Sequence, residues 1–476
     1  MFITIDRPAG LTATGPSPHF LMLQNLFAAT CLWALTTVGL WGQNTPPNIV
    51  MIISDDQSWT DYGFMGHDVI QTPHLDALAA ESATFTRGYV PTALCRPSLV
   101  TLVNGLYTHQ HKISGNDPAH SLADPKRQKE KYAELRAQVI SHIDHQPTVP
   151  QILGKKGYLS HQSGKWWEGN FSRGGFTHGM TRGFPNPGGR HGDDGLKIGR
   201  TGMLPVFNFI TEATMEKKPF FVWYAPFLPH TPHNPPQHIL DKYRQPDRSE
   251  FVAKYYAMCD WFDDTCGQLV QFLDEKNLRE NTLIVYVTDN GWIQSEKSGK
   301  YAPRSKQSAN EGGTRTPIMF NWPGKIKPGL RSDLCSSIDI VPTMLSAAGA
   351  KIPSNLPGLD LMPVLKSGAP IQRDTIFGEG FAHDIANIET PEDSLLYRWA
   401  IEGKWKLLLT YDGKVGRYAS SHPRSEKRPQ LYDVLSDPDE TVNVASQHPE
   451  VVARLAKKLQ NWWPVKERKT ISEWKE

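Results

Sequence analysis

The sequence predicts an α/β fold in which helices cover both faces of a large, mostly parallel sheet. Three apolar runs without polar alternation, 48–53, 219–225 and 283–288, are typical of strands that are buried on both faces. Apolar side chains at helical spacing lie between the last two runs, over 251–276, and a second helix is predicted over 72–83. Strands that alternate with helices in this way indicate a layered α/β domain.

The size of the chain and a change in composition near its last quarter indicate a second, smaller unit. A chain of 476 residues exceeds the length at which single hydrophobic cores usually stop growing. Pro and Gly become frequent over 351–373, and short apolar segments and a predicted helix at 449–463 follow. We therefore expect a large domain over 48–355, linked through this stretch to a small α+β subdomain over 370–476.

Residues 1–43 are interpreted as a leader that contains a signal peptide. An apolar run over 26–40 is shorter than a membrane-spanning helix usually needs and resembles the h-region of a secretory signal. Gly42 offers a cleavage point, and translation from Met22 would give a signal of ordinary length. We expect an exported protein, periplasmic, secreted or held at the cell surface, with an uncleaved membrane anchor as the alternative.

Charge and cysteine content argue against two classes of protein. A formal net charge of +2 gives no basis for binding nucleic acid. Only four cysteines follow the leader, too few for a disulfide framework in so long a chain. Cys259 and Cys266 lie in one predicted helix, about 10 Å apart along its axis and beyond disulfide reach, so we predict that both are buried thiols.

Acidic side chains follow two of the predicted buried strands. Asp55 and Asp56 come directly after the first run, and Asp289 and Asn290 directly after the third. Each pair alone is also common in turns, but ligands collect at the carboxyl ends of strands in α/β sheets. Three carboxylates and an amide supply the oxygen ligands that hard cations prefer. We therefore predict a Ca²⁺ site, with Mg²⁺ as the alternative.

Cys95 is predicted to lie at the N-terminus of a helix. Pro97 suits the start of a helix and Gly105 its end, with an apolar stretch between them. Backbone N–H groups and the helix dipole favour anions at such a terminus. A nucleophile here would face a site prepared for an anionic substrate, and the polar segments 106–150 and 168–200 are expected to be long loops around it.

Several motifs resemble those of the type I sulfatases. Cys95-Arg96-Pro97-Ser98 with Gly105 is similar to the family signature, Cys-x-Pro-Ser-Arg followed by Gly six residues past the Arg. Further similar stretches occur in the family's order between about residue 48 and about residue 463: Gly164-Lys165-Trp166, Pro229-His230-Thr231-Pro232, Asp289-Asn290-Gly291, and Lys306 ahead of Glu311-Gly312-Gly313-Thr314-Arg315-Thr316-Pro317. Each motif is moderately specific, whereas the ordered set is highly specific.

The resemblance implies an alkaline-phosphatase-like fold and hydrolysis of a sulfate ester on a small molecule or glycan. Tryptophans near the motifs favour a carbohydrate. It also implies that a formylglycine-generating enzyme oxidises Cys95 to formylglycine, the nucleophile. Ca²⁺ would be held by Asp55, Asp56, Asp289 and Asn290. Lys165 and Lys306 would bind sulfate oxygens, and His230 would contact the bridging oxygen and assist the leaving group, because fixed cations stabilise the charge that shifts onto these oxygens.

Two positions depart from the family pattern. Leu99 stands where the signature has Arg, and Trp167 stands where Gly-Lys-Trp-His has its His. In the family both residues act at the nucleophile. Two alternatives therefore stay open: a phosphate or phosphonate ester hydrolase that uses an unconverted Cys95, and an anion-binding relative without turnover.

Nearby side chains offer compensation for these departures. Arg96 adjoins the predicted nucleophile, and Glu168 follows the second departed position. Two histidines, His109 and His111, come shortly after the predicted nucleophile helix. We hypothesise that one of these histidines takes over proton transfer, because imidazole exchanges protons near neutral pH. The alternative is that they only line a loop.

Overall fold

The computed structural model describes residues 45–418, 426 and 428–466, and two sheets and a short strand pair organise them. The predicted leader over 1–43 lies outside the described residues. The strands are β1 (Asn48–Ser54), β2 (Ala83–Tyr89), β3 (Asp117–Pro118), β4 (Leu159–Gly164), β5 (His178–Gly179), β6 (Phe220–Ala225), β7 (Thr282–Thr288), β8 (Arg315–Asn321), β9 (Gly329–Arg331), β10 (Cys335–Ser336), β11 (Thr375–Phe381), β12 (Asp384–Ile385), β13 (Leu395–Glu402), β14 (Trp405–Thr410) and β15 (Gln430–Asp433).

The central sheet has nine strands in the order β10-β2-β8-β7-β1-β6-β4-β5, with β9 also paired to β2. Every pair in it is parallel except those made by β8, which runs antiparallel to β2 and to β7. The prediction of a large, mostly parallel sheet is confirmed. All three apolar runs became strands of this sheet, and β1 lies between the other two, β6 and β7.

Helices flank the sheet on both faces. They are α1 (Pro73–Ala80), α2 (Cys95–Asn104), α3 (Thr108–His111), α4 (Lys129–Ser141), α5 (Val149–Gly154), α6 (Leu204–Met215), α7 (Gln237–Tyr243), α8 (Glu250–Glu275), α9 (Glu311–Thr314), α10 (Ile340–Ala347), α11 (Met362–Ser367) and α12 (Pro449–Trp462). Successive residues of β1 enter different cores, since Met51 packs with α2 on one face and Ile52 with α8 on the other. The absence of polar alternation in β1 therefore reflects burial on both sides.

The C-terminal part of the chain builds a second, four-stranded antiparallel sheet in the order β11-β13-β14-β15. Helix α12 covers it through Leu455 and Leu459, which are fully buried against the strands. This arrangement confirms the predicted small α+β subdomain. The Pro- and Gly-rich stretch 351–373 is not a free linker, because it contains α11, whose Leu365 is fully buried in the main core.

Two loop predictions had different outcomes. Segment 168–200 contains only short 3-10 turns and the two residues of β5, as expected of a loop. Segment 106–150 was predicted as a loop but contains the 13-residue helix α4, whose apolar side is too narrow to give a clear periodic signal.

Cys259 and Cys266 are buried free thiols in α8, as predicted. Across the described residues, the helices are all too short or too polar to cross a membrane.

Candidate active site

Four neighbouring strands bring the predicted site residues to one edge of the central sheet. The strands β7, β1, β6 and β4 are adjacent and parallel, so their carboxyl ends lie together. The residues that follow them are Asp289 and Asn290 after β7, Asp55 and Asp56 after β1, His230 in the loop after β6, and Lys165 after β4. Backbone bonds fix these ends, since Asp289 N donates to Ser54 O (2.9 Å) and Asp55 N to Leu228 O (3.0 Å).

Asp56 is the centre of the charged contacts. Its backbone is left-handed, with φ of 65°, a conformation that is uncommon for a residue other than Gly. Lys306 Nζ lies 2.6 Å from both carboxylate oxygens, and Asn290 Nδ2 donates to Oδ1 at 2.7 Å. His230 Nε2 lies 3.2 Å from Oδ2. Asp56 N donates to Asp289 Oδ1 (3.1 Å), so the two acidic segments are joined directly.

Three buried oxygens in this cluster have no hydrogen-bond partner among the described residues: Asp55 Oδ2, Asp289 Oδ2 and Asn290 Oδ1. Burial raises the pKa of Asp55 well above its usual value and raises that of Asp289. Lys165 opposes both shifts, while the neighbouring carboxylates add to them. Unpartnered oxygens beside crowded buried carboxylates form the kind of donor set that a hard cation satisfies.

Cys95 begins α2 and faces the acidic cluster. Its Sγ lies 3.1 Å from Lys306 Nζ and 3.9 Å from Asp56 Oδ1. One ligand atom from each of Asp55, Asp56, Cys95 and His230 lies within 4.8 Å of the others. Gly105 ends the helix with φ of 76°, so the predicted start and end of this helix are both confirmed. Burial raises the pKa of the Cys95 thiol to about 12.

Lys165 and Lys306 are both buried and both paired with acids. Lys165 Nζ lies 2.6 Å from Asp55 Oδ1 and 5.3 Å from the ring centres of Trp167 and Phe227. Burial disfavours the charge of Lys165, but Asp55 more than offsets this and the pKa rises above its usual value. Burial also disfavours the charge of Lys306, but Asp56 outweighs it and raises the pKa of Lys306 well above its usual value. Both ammonium groups therefore stay charged at the base of the site.

A cavity of about 620 Å³, here called the site cavity, opens above these groups. Cys95, Lys165, His230 and Lys306 reach into it from the base. Aromatic side chains form much of its wall, namely Trp167, Trp292, Tyr301 and Tyr418. Polar side chains from several segments complete the wall, namely Asn116, Arg190, His191, Thr231, Lys300, Gln307, His383 and Arg417.

The two positions that depart from the sulfatase motifs are both buried. Leu99 packs in the main hydrophobic core together with Cys95, one helical turn away. Trp167 lines the site cavity and packs against His191, with ring centres 5.3 Å apart. Arg96, three residues before Leu99, and Glu168, directly after Trp167, form a buried ion pair with two N–H···O contacts of 2.7 Å.

The structure does not bring His109 and His111 to the site cavity. His109 Nδ1 pairs with Glu379 (2.7 Å), and its ring stacks on Trp463. His111 is buried with Nε2 3.3 Å from Thr101 Oγ1 on the far part of α2. The hypothesis that either replaces the missing histidine as the proton-transfer group is therefore not supported by their positions. Glu168 is likewise committed to Arg96.

Sequence reasoning missed the residues of the cavity wall. Arg190 and His191 lie within the loop 168–200 that was expected to surround the site, but nothing singled them out. His383 and Arg417 come from the C-terminal part of the chain, more than 60 residues beyond the last recognised site motif. Only tertiary packing brings such residues together, so no local sequence motif predicts them.

Comparison with known proteins decides the family. Residues 47–350 match the family model described as Sulfatase, and residues 299–463 match the one described as N-sulphoglucosamine sulphohydrolase, C-terminal. The chain belongs to the sulfatase family. The predicted membership of the family is thereby confirmed, and this sulfatase is a hydrolase of sulfuric esters on the alkaline-phosphatase-like fold.

Named sulfatases are similar to this one over most of their length. Human arylsulfatase A is 27% identical over 478 residues, covering 87% of each chain. N-acetylgalactosamine-6-sulfatase from Canis lupus familiaris is 27% identical over 401 residues, covering 74% of this sulfatase and 73% of the relative. The crystal structure of Ps i-CgsB in complex with k-i-k-neocarrahexaose is 24% identical. It superposes with a TM-score of 0.67 over 89% of this chain and 94% of that one, and at this identity it supports the fold alone.

Proposed function

We propose that this sulfatase removes a sulfate ester from a carbohydrate, using formylglycine at position 95 and a bound Ca²⁺. The observation that carries the proposal is the convergence of Cys95, two buried ammonium groups and a cluster of buried, unpartnered oxygens at the base of one cavity. The aromatic wall of that cavity suits the faces of sugar rings. A named relative, N-acetylgalactosamine-6-sulfatase, acts on a sugar sulfate.

The residues present fit a hard cation. Asp55, Asp56, Asp289 and Asn290 supply four side chains with oxygen donors, and three of these side chains hold a buried oxygen without a partner in the described chain. Three carboxylates with two ammonium groups leave one negative charge in excess, which a divalent ion would more than offset. Ca²⁺ is favoured over Mg²⁺ because it accepts irregular oxygen cages. Bound there, the ion would polarise the sulfate group and the nucleophile as a Lewis acid.

The cationic side chains would hold and polarise the sulfate. Lys165 and Lys306 approach the base of the cavity from β4 and from the loop before α9, so their ammonium groups would bind sulfate oxygens on two sides. His230 Nδ1 lies 2.5 Å from the carbonyl of Thr231, which fits an Nδ1–H that donates to it, and Nε2 lies at the base of the cavity, 3.2 Å from Asp56 Oδ2. We assign to Nε2 the contact with the bridging oxygen. Burial and the two lysines lower the pKa of His230, so the doubly protonated ring, which gives up its Nε2 proton as the S–O bond to the alcohol breaks, would form once the anionic sulfate is bound.

Position 95 would supply the nucleophile after oxidation of the cysteine by a formylglycine-generating enzyme. The hydrated aldehyde offers two hydroxyls: one forms the new S–O bond, and the second allows sulfate to leave with return of the aldehyde. The N-terminal position on α2 suits this role, because helix N–H groups favour the developing negative charge.

Mass spectrometry and paired assays test the proposal. We expect the Cys95 peptide, from protein produced with a formylglycine-generating enzyme, to carry the aldehyde. We also expect hydrolysis of 4-nitrophenyl sulfate and a sulfated sugar to exceed hydrolysis of 4-nitrophenyl phosphate. Cys95→Ala should abolish activity, whereas Cys259→Ala, which removes a buried thiol in α8, should not. An intact thiol with preference for the phosphate ester would instead support the alternative hydrolase.

Export of the chain belongs to the same proposal. The apolar run over 26–40 would act as a signal peptide, which places the enzyme where extracellular glycans are met. N-terminal sequencing of the protein from its native host should show cleavage near Gly42. A mature protein that keeps residues 26–40 would favour the membrane anchor.

A further inference from the structure

The short strand pair β3–β12 places two buried aspartates beside each other, next to Asn116 and His383, which line the site cavity. Asp117 and Asp384 are register partners in this parallel pair. Asp117 accepts hydrogen bonds from Arg136 (2.7 Å) and Arg190 (2.5 Å), and Asp384 accepts two from Arg417 (2.6 and 2.8 Å). Three arginines thus meet two aspartates, and the cluster keeps one positive charge in excess.

The outer edges of two of these arginines face the cavity. The side chains of Asp117 and Asp384 are only 4% and 1% exposed, whereas those of Arg190 and Arg417 are each 39% exposed and line the cavity. Both arginines use Nε and Nη2 for their aspartate. Within the described part of the chain, Nη1 of each has no hydrogen-bond acceptor. Each aspartate therefore binds Nε and Nη2 of its guanidinium group, and the Nη1 donors are left to face the cavity.

Hydrogen bonds connect this cluster to the helix that carries the nucleophile. Asn116 Oδ1 accepts from Arg96 N (3.1 Å), one residue after Cys95. Asn116 Nδ2 lies 3.3 Å from His383 Nε2, and His383 Nδ1 lies 2.7 Å from Asp384 Oδ1. These distances fit a neutral imidazole that accepts from the amide and donates to the carboxylate. The arginines are thereby held at a fixed position relative to the nucleophile.

We propose that Arg190 and Arg417 form a second anion subsite, which binds a carboxylate or a second sulfate on the sugar chain whose sulfate ester is cleaved. This inference rests on the proposed function. Lys165 and Lys306 would hold the scissile sulfate, so a separate pair of guanidinium groups lining the same cavity calls for a separate oxyanion. Guanidinium groups bind oxyanions through paired N–H donors, which gives orientation as well as affinity. The preferred substrate is then a polyanionic sulfated glycan.

Kinetics on matched substrates separate this role from a purely structural one. We compare a neutral monosulfated disaccharide with the same disaccharide bearing a uronate, and with one bearing a second sulfate. For Arg190→Gln and Arg417→Gln we expect KM to rise about tenfold or more for at least one dianionic substrate, with kcat/KM for the neutral one within about twofold. Whether the uronate or the disulfate form responds identifies the oxyanion.

Conservative and remote variants complete the design. Arg417→Lys keeps the ion pair with Asp384 but lacks the paired N–H donors of a guanidinium group. It should retain the thermal midpoint of the wild type and lose most of the preference for dianionic over neutral substrates. Arg182→Gln removes an exposed arginine on the same loop as Arg190 and should change neither substrate. Equal losses for neutral and dianionic substrates, or no loss for either, would overturn the proposal.

A binding measurement stands apart from turnover. Calorimetry with uronate and singly sulfated disaccharides that lack the scissile sulfate reports on the second subsite alone. We expect the wild type to bind at least one of these ligands about tenfold more tightly than the uncharged disaccharide, and Arg190→Gln to remove the difference. Wild type without this preference contradicts the subsite even if it hydrolyses sulfate. If the wild type binds the charged disaccharides more tightly but does not hydrolyse sulfate esters, the proposed function is contradicted and the second subsite is not.

Discussion

Arg96 and Glu168 form a buried two-point ion pair that joins the residue after Cys95 to the residue after Trp167. Nε and Nη2 of the guanidinium each donate to one carboxylate oxygen at 2.7 Å, and each side chain is only 2% exposed. Arg96 Nη1 also donates to the carbonyl of Asn116 (3.3 Å). The pair ties the first turn of α2 to the loop after β4, with Glu168 directly after Trp167 and Arg96 three residues before Leu99.

Breaking this pair should destabilise the fold. Glu168→Gln is expected to lower the free energy of unfolding by about 3–5 kcal/mol, because it leaves the buried charge of Arg96 without a counter-charge. Denaturant unfolding followed by tryptophan fluorescence measures the loss. Asp144→Asn breaks the exposed pair with Arg173, whose side chains are 44% and 37% exposed, and should cost less than about 1 kcal/mol. Equal losses of unfolding free energy in Glu168→Gln and Asp144→Asn would show that the buried pair contributes no more to stability than the exposed one.

Restoring the family residue at position 99 should not be tolerated by itself. Leu99 lies in the main apolar core, so Leu99→Arg would bury a charge and is expected to cost more than about 3 kcal/mol of unfolding free energy. Leu99→Met, which conserves volume, should cost less than about 1.5 kcal/mol. The same unfolding experiment measures both variants. A stable Leu99→Arg protein would reveal an acidic partner within reach of the new side chain.

The base of the site was predictable from the sequence, and its wall was not. Asp55 and Asp289 follow apolar runs that are typical of strands buried on both faces. Adjacent parallel strands place their carboxyl ends at the same edge of the sheet, so the two aspartates lie together. Asp117 and Arg417 meet through a strand pair of two residues each, too short to leave a periodic signal. Helix α4 was missed for a related reason, since its apolar face is narrow.

Acid should weaken the fold through His161. This histidine is buried in β4 between Phe209 and its neighbour His178, and burial, aided by His178, lowers its pKa from 6.5 to about 4. The unfolded chain binds a proton between these values and the folded chain does not, so stability falls as pH drops from about 7 to about 4. Relative to His161→Gln, the wild type should lose about 3 kcal/mol over that range.

Denaturant unfolding at a series of pH values checks the effect of His161. The exposed His238→Gln variant is the control, and its pH profile should follow that of the wild type. Parallel profiles for wild type and His161→Gln would mean that the imidazole is protonated in the folded protein.

Removal of calcium should lower thermal stability as well as activity. A ligand that binds only the folded state at 100 times its Kd adds about 2.7 kcal/mol, so EGTA should lower Tm and added Ca²⁺ should restore it. Asp289→Asn keeps the size of the side chain but removes a charge, and it should lose most of the Ca²⁺-dependent gain. Asp260→Asn, which alters a buried acid bound to Tyr243, should lose stability yet keep that gain. A Ca²⁺ response unchanged in Asp289→Asn would contradict the assigned ligand.

The contribution of His230 should depend on the leaving group. Its Nε2 is assigned to the bridging oxygen, and an alkoxide leaving from a sugar needs a proton far more than a nitrophenolate does. His230→Gln should therefore reduce kcat for a sugar sulfate by about 100-fold to 10,000-fold but reduce kcat for 4-nitrophenyl sulfate by much less. The neighbouring His233→Gln, at a histidine that packs on Tyr255 and Trp292, is the matched control and should show no such contrast. Equal losses on both substrates in His230→Gln would assign the residue to binding of the sulfate rather than to departure of the alcohol, since binding is required whatever group leaves.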